Sequence, residues 1–148
     1  MKPLLNTTLL FLLLVIGFSG GVSGQDFEET KRLAEQGNVI DQFNLGVMYA
    51  NGEGVPENDV EAVRWYRLAA EQGLAQAQSN LGFMYGTGRG VPQNNVRAYV
   101  WWSVAAAQGG ENARTNRDIV SDELTPEQLA RGQDMATRCF ESDFQDCE

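Results

Sequence analysis

The stretch that decides the fold occurs twice: LGVMYANGEGVP at residues 45–56 and LGFMYGTGRGVP at residues 81–92, an offset of 36 residues. The similarity extends to both sides, so that two consecutive segments of 36 residues share 18 identical positions. Self-similarity at one fixed period is the signature of stacked structural units. The sequence therefore predicts two full repeats, at residues 38–73 and 74–109.

Each repeat has the pattern of two helices joined by a loop. Apolar residues recur at helical spacing over residues 39–50 and 75–86, which predicts the first helix of each unit. A glycine-rich loop ending in Val-Pro follows, and an asparagine cap and a later glycine then delimit a second helix at residues 59–72 and 95–108.

Two glycines lie inside the predicted first helices, at Gly46 and Gly82. Glycine in a helix interior costs about 1 kcal/mol relative to alanine. Its return at the same place in both repeats predicts that a neighbouring helix packs against this bare backbone.

Fainter copies of the pattern flank the two full repeats. Residues 26–37 match the end of a second helix, and residues 111–122 match a first helix in which Arg117-Asp118 replaces the packing Leu-Gly. Charge at that point marks the end of an array, since a terminal unit needs a polar outer face. A last helix is predicted from Thr125 to about Phe140, so that residues 110–148 form a C-terminal cap. We therefore expect an all-α solenoid, a short right-handed array of seven helices in two layers.

The motif L-G-x-M-Y-x-x-G-x-G-V-P, followed by A-x-x-W and closed by A-A-x-Q-G, resembles the Sel1-like repeat, a relative of the tetratricopeptide repeat. The resemblance covers residues 27 to about 122. It implies a helical-repeat fold and the role of an adaptor or scaffold, with a protein or peptide partner that the sequence does not identify.

The N-terminal segment has the layout of a secretory signal peptide. Lys2 precedes an apolar run from Leu9 to Phe18, and small residues follow, as is typical before a cleavage site. We expect residues 1–24 to be removed, with cleavage after Ser23 or Gly20 as alternatives, and residues 25–148 to form one domain. The protein is then exported, periplasmic or secreted, without stable membrane insertion; a retained anchor is the alternative.

The composition excludes several functional classes. The chain has no histidine, which removes the usual general base and the usual zinc ligand. Its formal net charge of −9 disfavours nucleic acid as a partner. No serine lies three residues before a lysine, as a β-lactamase nucleophile requires. We therefore expect no catalytic residues, no metal and no cofactor. The alternative is a cell-envelope enzyme or cell-wall ligand binder, β-lactamase-like or muropeptide-binding.

The aromatic and sulfur-containing residues suggest structural roles. Trp65 and Trp101 recur at the repeat offset beside alanines, which predicts core packing, whereas the role of Trp102 is less defined. Cys139 and Cys147 are the only cysteines. In an exported chain we expect them to form a disulfide, with free or intermolecular thiols as the alternative.

One polar position recurs without an evident packing role: Asn44, Asn80 and Asn116 lie 36 residues apart. In tetratricopeptide relatives an asparagine just before the packing Leu-Gly faces the concave groove and binds a peptide. The resemblance thus implies a binding groove along the first helices, lined also by Val47, Phe83 and Gln76. The alternative is structural, with each amide bonded to a neighbouring helix or loop.

Overall fold

The computed structural model describes residues 24–148, which form seven helices and no strand. The helices are α1 (Gly24–Glu35), α2 (Val39–Asn51), α3 (Asp59–Glu71), α4 (Ala75–Thr87), α5 (Asn95–Ala107), α6 (Glu111–Glu123) and α7 (Pro126–Glu141). None of these helices is long and apolar enough to cross a membrane. The predicted signal peptide lies outside the described residues, apart from Gly24.

The helix ends follow the capping residues of the sequence. The side chains of Asn58 and Asn94 accept hydrogen bonds from backbone N–H groups in the first turns of α3 and α5. Helices α2 and α4 end at Gly52 and Gly88, which adopt the left-handed conformation at φ 70° that favours glycine. The predicted bounds hold to within a few residues at each end.

Consecutive helices pack side by side. Helix α2 packs on α3 and α4 on α5 within the two repeats, while α3 packs on α4 and α5 on α6 between units. We call α2, α4 and α6 the first layer and α1, α3 and α5 the second layer. The fold is an all-α solenoid of helical repeats.

The last helix leaves the repeat geometry, because α7 packs against α5 rather than against α6. The loops inside the full repeats span residues 52–58 and 88–94, whereas only Leu124 and Thr125 separate α6 from α7. Thr125 caps α7 in a reciprocal pair with Gln128, which starts the helix at once. The backbone at Leu124 is extended (φ −84°, ψ 143°), and α7 leaves α6 there in the direction that brings it against α5.

The helical glycines and tryptophans occupy the predicted packing positions. A Cβ atom at Gly46 would lie 2.6 Å from the ring of Tyr66, and one at Gly82 would lie 2.8 Å from the indole of Trp102. Trp65 and Trp101 are 3% and 1% exposed, so both belong to the core. These predictions are confirmed, and the structure also buries Trp102.

A disulfide joins Cys139 near the end of α7 to Cys147, as predicted. The segment it closes turns back over the body of the protein. Phe144 packs over Gly73, and the amide of Gln145 donates a hydrogen bond to the backbone carbonyl of Glu71 at 2.9 Å. The tail is thus fixed both covalently and by contacts with α3.

Candidate functional site

The three repeated asparagines lie on the first-layer helices α2, α4 and α6, in different environments. Asn44 is exposed, whereas Asn80 and Asn116 are half-buried. Asn80 lies beside the Tyr66 hydroxyl; burial raises the pKa of that phenol, and the neighbouring Asn80 amide opposes the rise. Within residues 24–148, the side chains of Asn44 and Asn116 make no hydrogen bond. One of the three amides therefore has a polar neighbour within the protein, and the other two make no side-chain hydrogen bond within residues 24–148.

A cavity of about 230 Å³ opens between α4 and α6 beside Asn116. Its floor is the indole of Trp102 from α5, and its apolar walls include Phe83 and Ile119. Phe83 is 45% exposed and Ile119 58%, although both are large apolar side chains. Exposed apolar surface of this kind is typical of interaction sites.

The structure brings only some of the predicted groove residues together. Phe83 and Asn116 share the cavity. Gln76 lines a separate cavity of about 430 Å³ at the start of α4, whereas Asn44 and Val47 on α2 line neither cavity. Val47 is half-buried and packs against the core. The first layer is thus a surface with a defined pocket at its C-terminal end.

Most residues that line the cavity were missing from the sequence-based prediction, among them Trp102, Ile119 and Glu123. The repeat offset contained the signal for Ile119, since it maps Val47 to Phe83 and Phe83 to Ile119. The charged pair Arg117-Asp118 concealed this continuity by suggesting that α6 no longer belonged to the binding surface. In the structure those two side chains form an ion pair with each other at 2.7 Å.

A second polar site is occupied by the chain's own tail. The carboxylate of Glu148 accepts hydrogen bonds from the Tyr85 hydroxyl at 2.7 Å and from the guanidinium of Arg67 at 3.1 Å. Arg97 lies 3.8 Å away. Burial and the bond to Glu148 raise the pKa of the Tyr85 phenol. These groups satisfy one another, so they hold the tail.

The carboxylates near the first loop also have structural partners. Asp59 forms a two-point ion pair with Arg89, at 2.7 and 3.0 Å, and Glu57 lies 3.4 Å from the same guanidinium. No group of acidic residues or cysteines in residues 24–148 has the arrangement of a metal site.

The comparisons with known proteins agree with this architecture. A family model for the Sel1 repeat matches residues 40–74 and 75–110. A protective antigen present in uropathogenic Escherichia coli strains, displaying an SLR fold, is 32% identical, with a TM-score of 0.78 over 82% of this chain. A Sel1 repeat protein from Oxalobacter formigenes is 38% identical, with a TM-score of 0.63 over 65% of this chain. The chain covers only 27% and 38% of these two structures. No curated protein matches the sequence.

Proposed function

Because the chain is a Sel1-repeat protein, we propose that it is an exported interaction module that binds a peptide or protein segment along its first layer. Sel1-repeat proteins generally mediate protein–protein interaction, and their fold is typically a non-enzymatic scaffold. The observation that carries the proposal is the cavity between α4 and α6, where Phe83, Ile119 and Asn116 face open space together.

The arrangement suits an extended segment of polypeptide. Each asparagine amide offers both a donor and an acceptor, so that it can satisfy the N–H and C=O groups of a bound backbone. The exposed apolar side chains then supply the favourable free energy of burial, at roughly 25 cal/mol per Å² removed from water. The negative net charge favours a neutral or basic partner.

Export is supported by features outside the binding surface. The two cysteines are paired with each other, and disulfides persist in oxidising compartments. The apolar N-terminal run with its single lysine has the layout of a signal peptide. We therefore place the protein in the periplasm or the extracellular medium.

The test uses a displayed library of random peptides selected against the exported, disulfide-bonded protein. Selected peptides are expected to bind Phe83→Ala at least about tenfold more weakly, since truncation of a central apolar contact costs about 1.4 kcal/mol or more. Phe140→Ala is the matched control, because Phe140 on α7 is 40% exposed and lies outside the cavity.

Two outcomes would contradict the proposal. One is equal loss of affinity in the two phenylalanine variants. The other is binding of muropeptides with no peptide selected, which would favour the cell-wall alternative.

A further inference from the structure

The repeats create two equivalent positions between neighbouring first-layer helices, the first between α2 and α4 and the second between α4 and α6. The first position is closed by contacts within the protein. Between α2 and α4, the guanidinium of Arg89 donates hydrogen bonds to the carboxylate of Asp59 at 2.7 and 3.0 Å. It donates another to the carbonyl oxygen of Ala50 at 3.4 Å. Beside it, the Tyr66 hydroxyl lies next to the amide of Asn80. The polar groups of the first position are thus used within the protein.

At the second position the ion pair and the tyrosine are replaced, while the asparagine is retained as Asn116. The 36-residue offset puts Asn95 where Asp59 stands and Thr125 where Arg89 stands, so that the ion pair has no counterpart. It also puts Trp102 in place of Tyr66, so Asn116 has no phenolic hydroxyl beside it as Asn80 has.

A glycine makes room for the larger ring. Gly86 replaces Ala50, and a Cβ atom there would lie 3.0 Å from the Cη2 atom of Trp102. The indole is fixed from its other side, since Nε1 donates a hydrogen bond to the carbonyl of Ser79 at 3.1 Å. The result is a rigid apolar floor under the cavity between α4 and α6.

The size and charge of the cavity select what enters it. Its volume of about 230 Å³ is below the range of roughly 300–1,000 Å³ typical of pockets for whole small molecules, and it suits a single bulky side chain. The only formal charge among its lining residues is that of Glu123. One oxygen of this carboxylate accepts a hydrogen bond from Asn95 at 3.0 Å, which orients the group at the rim.

We propose that this cavity reads a two-residue motif in the bound segment: a bulky apolar side chain that enters the cavity over Trp102, next to a lysine or arginine that pairs with Glu123. The amide of Asn116 bonds the backbone between them. This inference rests on the proposed function, which requires only that a peptide binds along the first layer.

The test measures binding of capped hexapeptides of the form Ala-Ala-X-Z-Ala-Ala to the full exported protein by NMR titration. The Phe-Lys peptide is expected to bind at least about tenfold more tightly than the Ala-Lys and Phe-Glu peptides and to shift the Trp102 indole and Ile119 methyl signals. Glu123→Gln should abolish the difference between Phe-Lys and Phe-Gln peptides while the preference for Phe over Ala remains. Val47→Ala, at the position equivalent to Phe83 in the closed site, should change neither preference.

The outcomes separate this inference from the proposed function. Peptides that bind along α2, α4 and α6 with no preference for the apolar-basic pair would overturn the motif and leave the binding role intact. Signals that move only at the tail around Glu148 would also overturn it. If neither these peptides nor the library yields any binder on the first layer, both proposals fail.

Discussion

Replacing Gly82 with alanine tests whether the solenoid depends on the close contact between α4 and the indole of Trp102. In an unconstrained helix this change is stabilising, by about 1 kcal/mol, because glycine has the larger conformational entropy when unfolded. Here the new methyl group would lie 2.8 Å from both Cδ1 and Nε1 of Trp102. The ring has to move, and it is buried.

The contact outweighs the gain in helix propensity. Overpacking of this kind costs about 1–3 kcal/mol. A displaced indole also weakens the hydrogen bond from Trp102 to the carbonyl of Ser79, which contributes about 1 kcal/mol. We therefore expect Gly82→Ala to lower the free energy of unfolding by about 1–3 kcal/mol. Gly82→Leu should lower it further, since more atoms enter the same space.

The assay is urea unfolding followed by circular dichroism, with a double-mutant cycle against Trp102→Val. Valine ends before the ring atoms that Gly82 faces, so in that background Gly82→Ala should stabilise by up to about 1 kcal/mol. The reversal of sign is the decisive result. The packing argument would be refuted if Gly82→Ala stabilised the otherwise natural protein. It would also be refuted if Gly82→Ala lowered the free energy of unfolding of the Trp102→Val variant as much as that of the natural protein.

The other predictions concern the tail and the asparagines. Cys147→Ser should lower the free energy of unfolding by at most about 2.5 kcal/mol, because the loop that the disulfide closes is short. The same change frees Glu148, so it should move the ionisation of Tyr85 to lower pH in an absorbance titration. Since burial and Glu148 raise the folded-state pKa of Tyr85 above its ordinary value, its contribution to stability is present below pH 10 and is lost as the pH rises through the folded-state pKa; an unchanged tyrosine titration would contradict the contact. Asn80→Ala should move the ionisation of Tyr66 to higher pH, because the Asn80 amide opposes the rise that burial causes in the pKa of Tyr66, whereas Asn116→Ala should leave it unchanged; an unchanged tyrosine titration in Asn80→Ala would contradict the contact.

Most of the architecture could be predicted because each unit encodes its helices locally. The asparagine caps, the glycine that ends each first helix and the apolar spacing all act within a few residues, and the 36-residue offset repeats them. The helical glycines went further and predicted a tertiary contact, now identified as Gly46 against Tyr66 and Gly82 against Trp102.

The placement of the last helix could not be predicted in the same way. The capping box at Thr125 fixed where α7 begins, yet its packing against α5 depends on the direction in which the chain leaves α6. That direction follows from the extended backbone at Leu124. No residue pattern in α7 names the helix it covers, since its apolar face fits either neighbour.

Identity at the repeat offset does not by itself distinguish a binding residue from a structural one. Gln42 and Gln78 recur just as the asparagines do, yet they are buried, and their amides donate to the carbonyls of Ala34 and Ala70 in the preceding helices. This repetition is explained entirely by satisfied backbone groups.

The repeated asparagines differ in their contacts because their surroundings differ, although the residue itself is the same at each position. The amide of Asn80 lies beside the hydroxyl of Tyr66, whereas at Asn116 the equivalent aromatic residue is Trp102, which has no hydroxyl. In a repeat protein each unit supplies the structural reference for the next. A binding site is therefore best sought between two units where the groups that close the equivalent position elsewhere in the array are absent. In this chain that place is the cavity between α4 and α6.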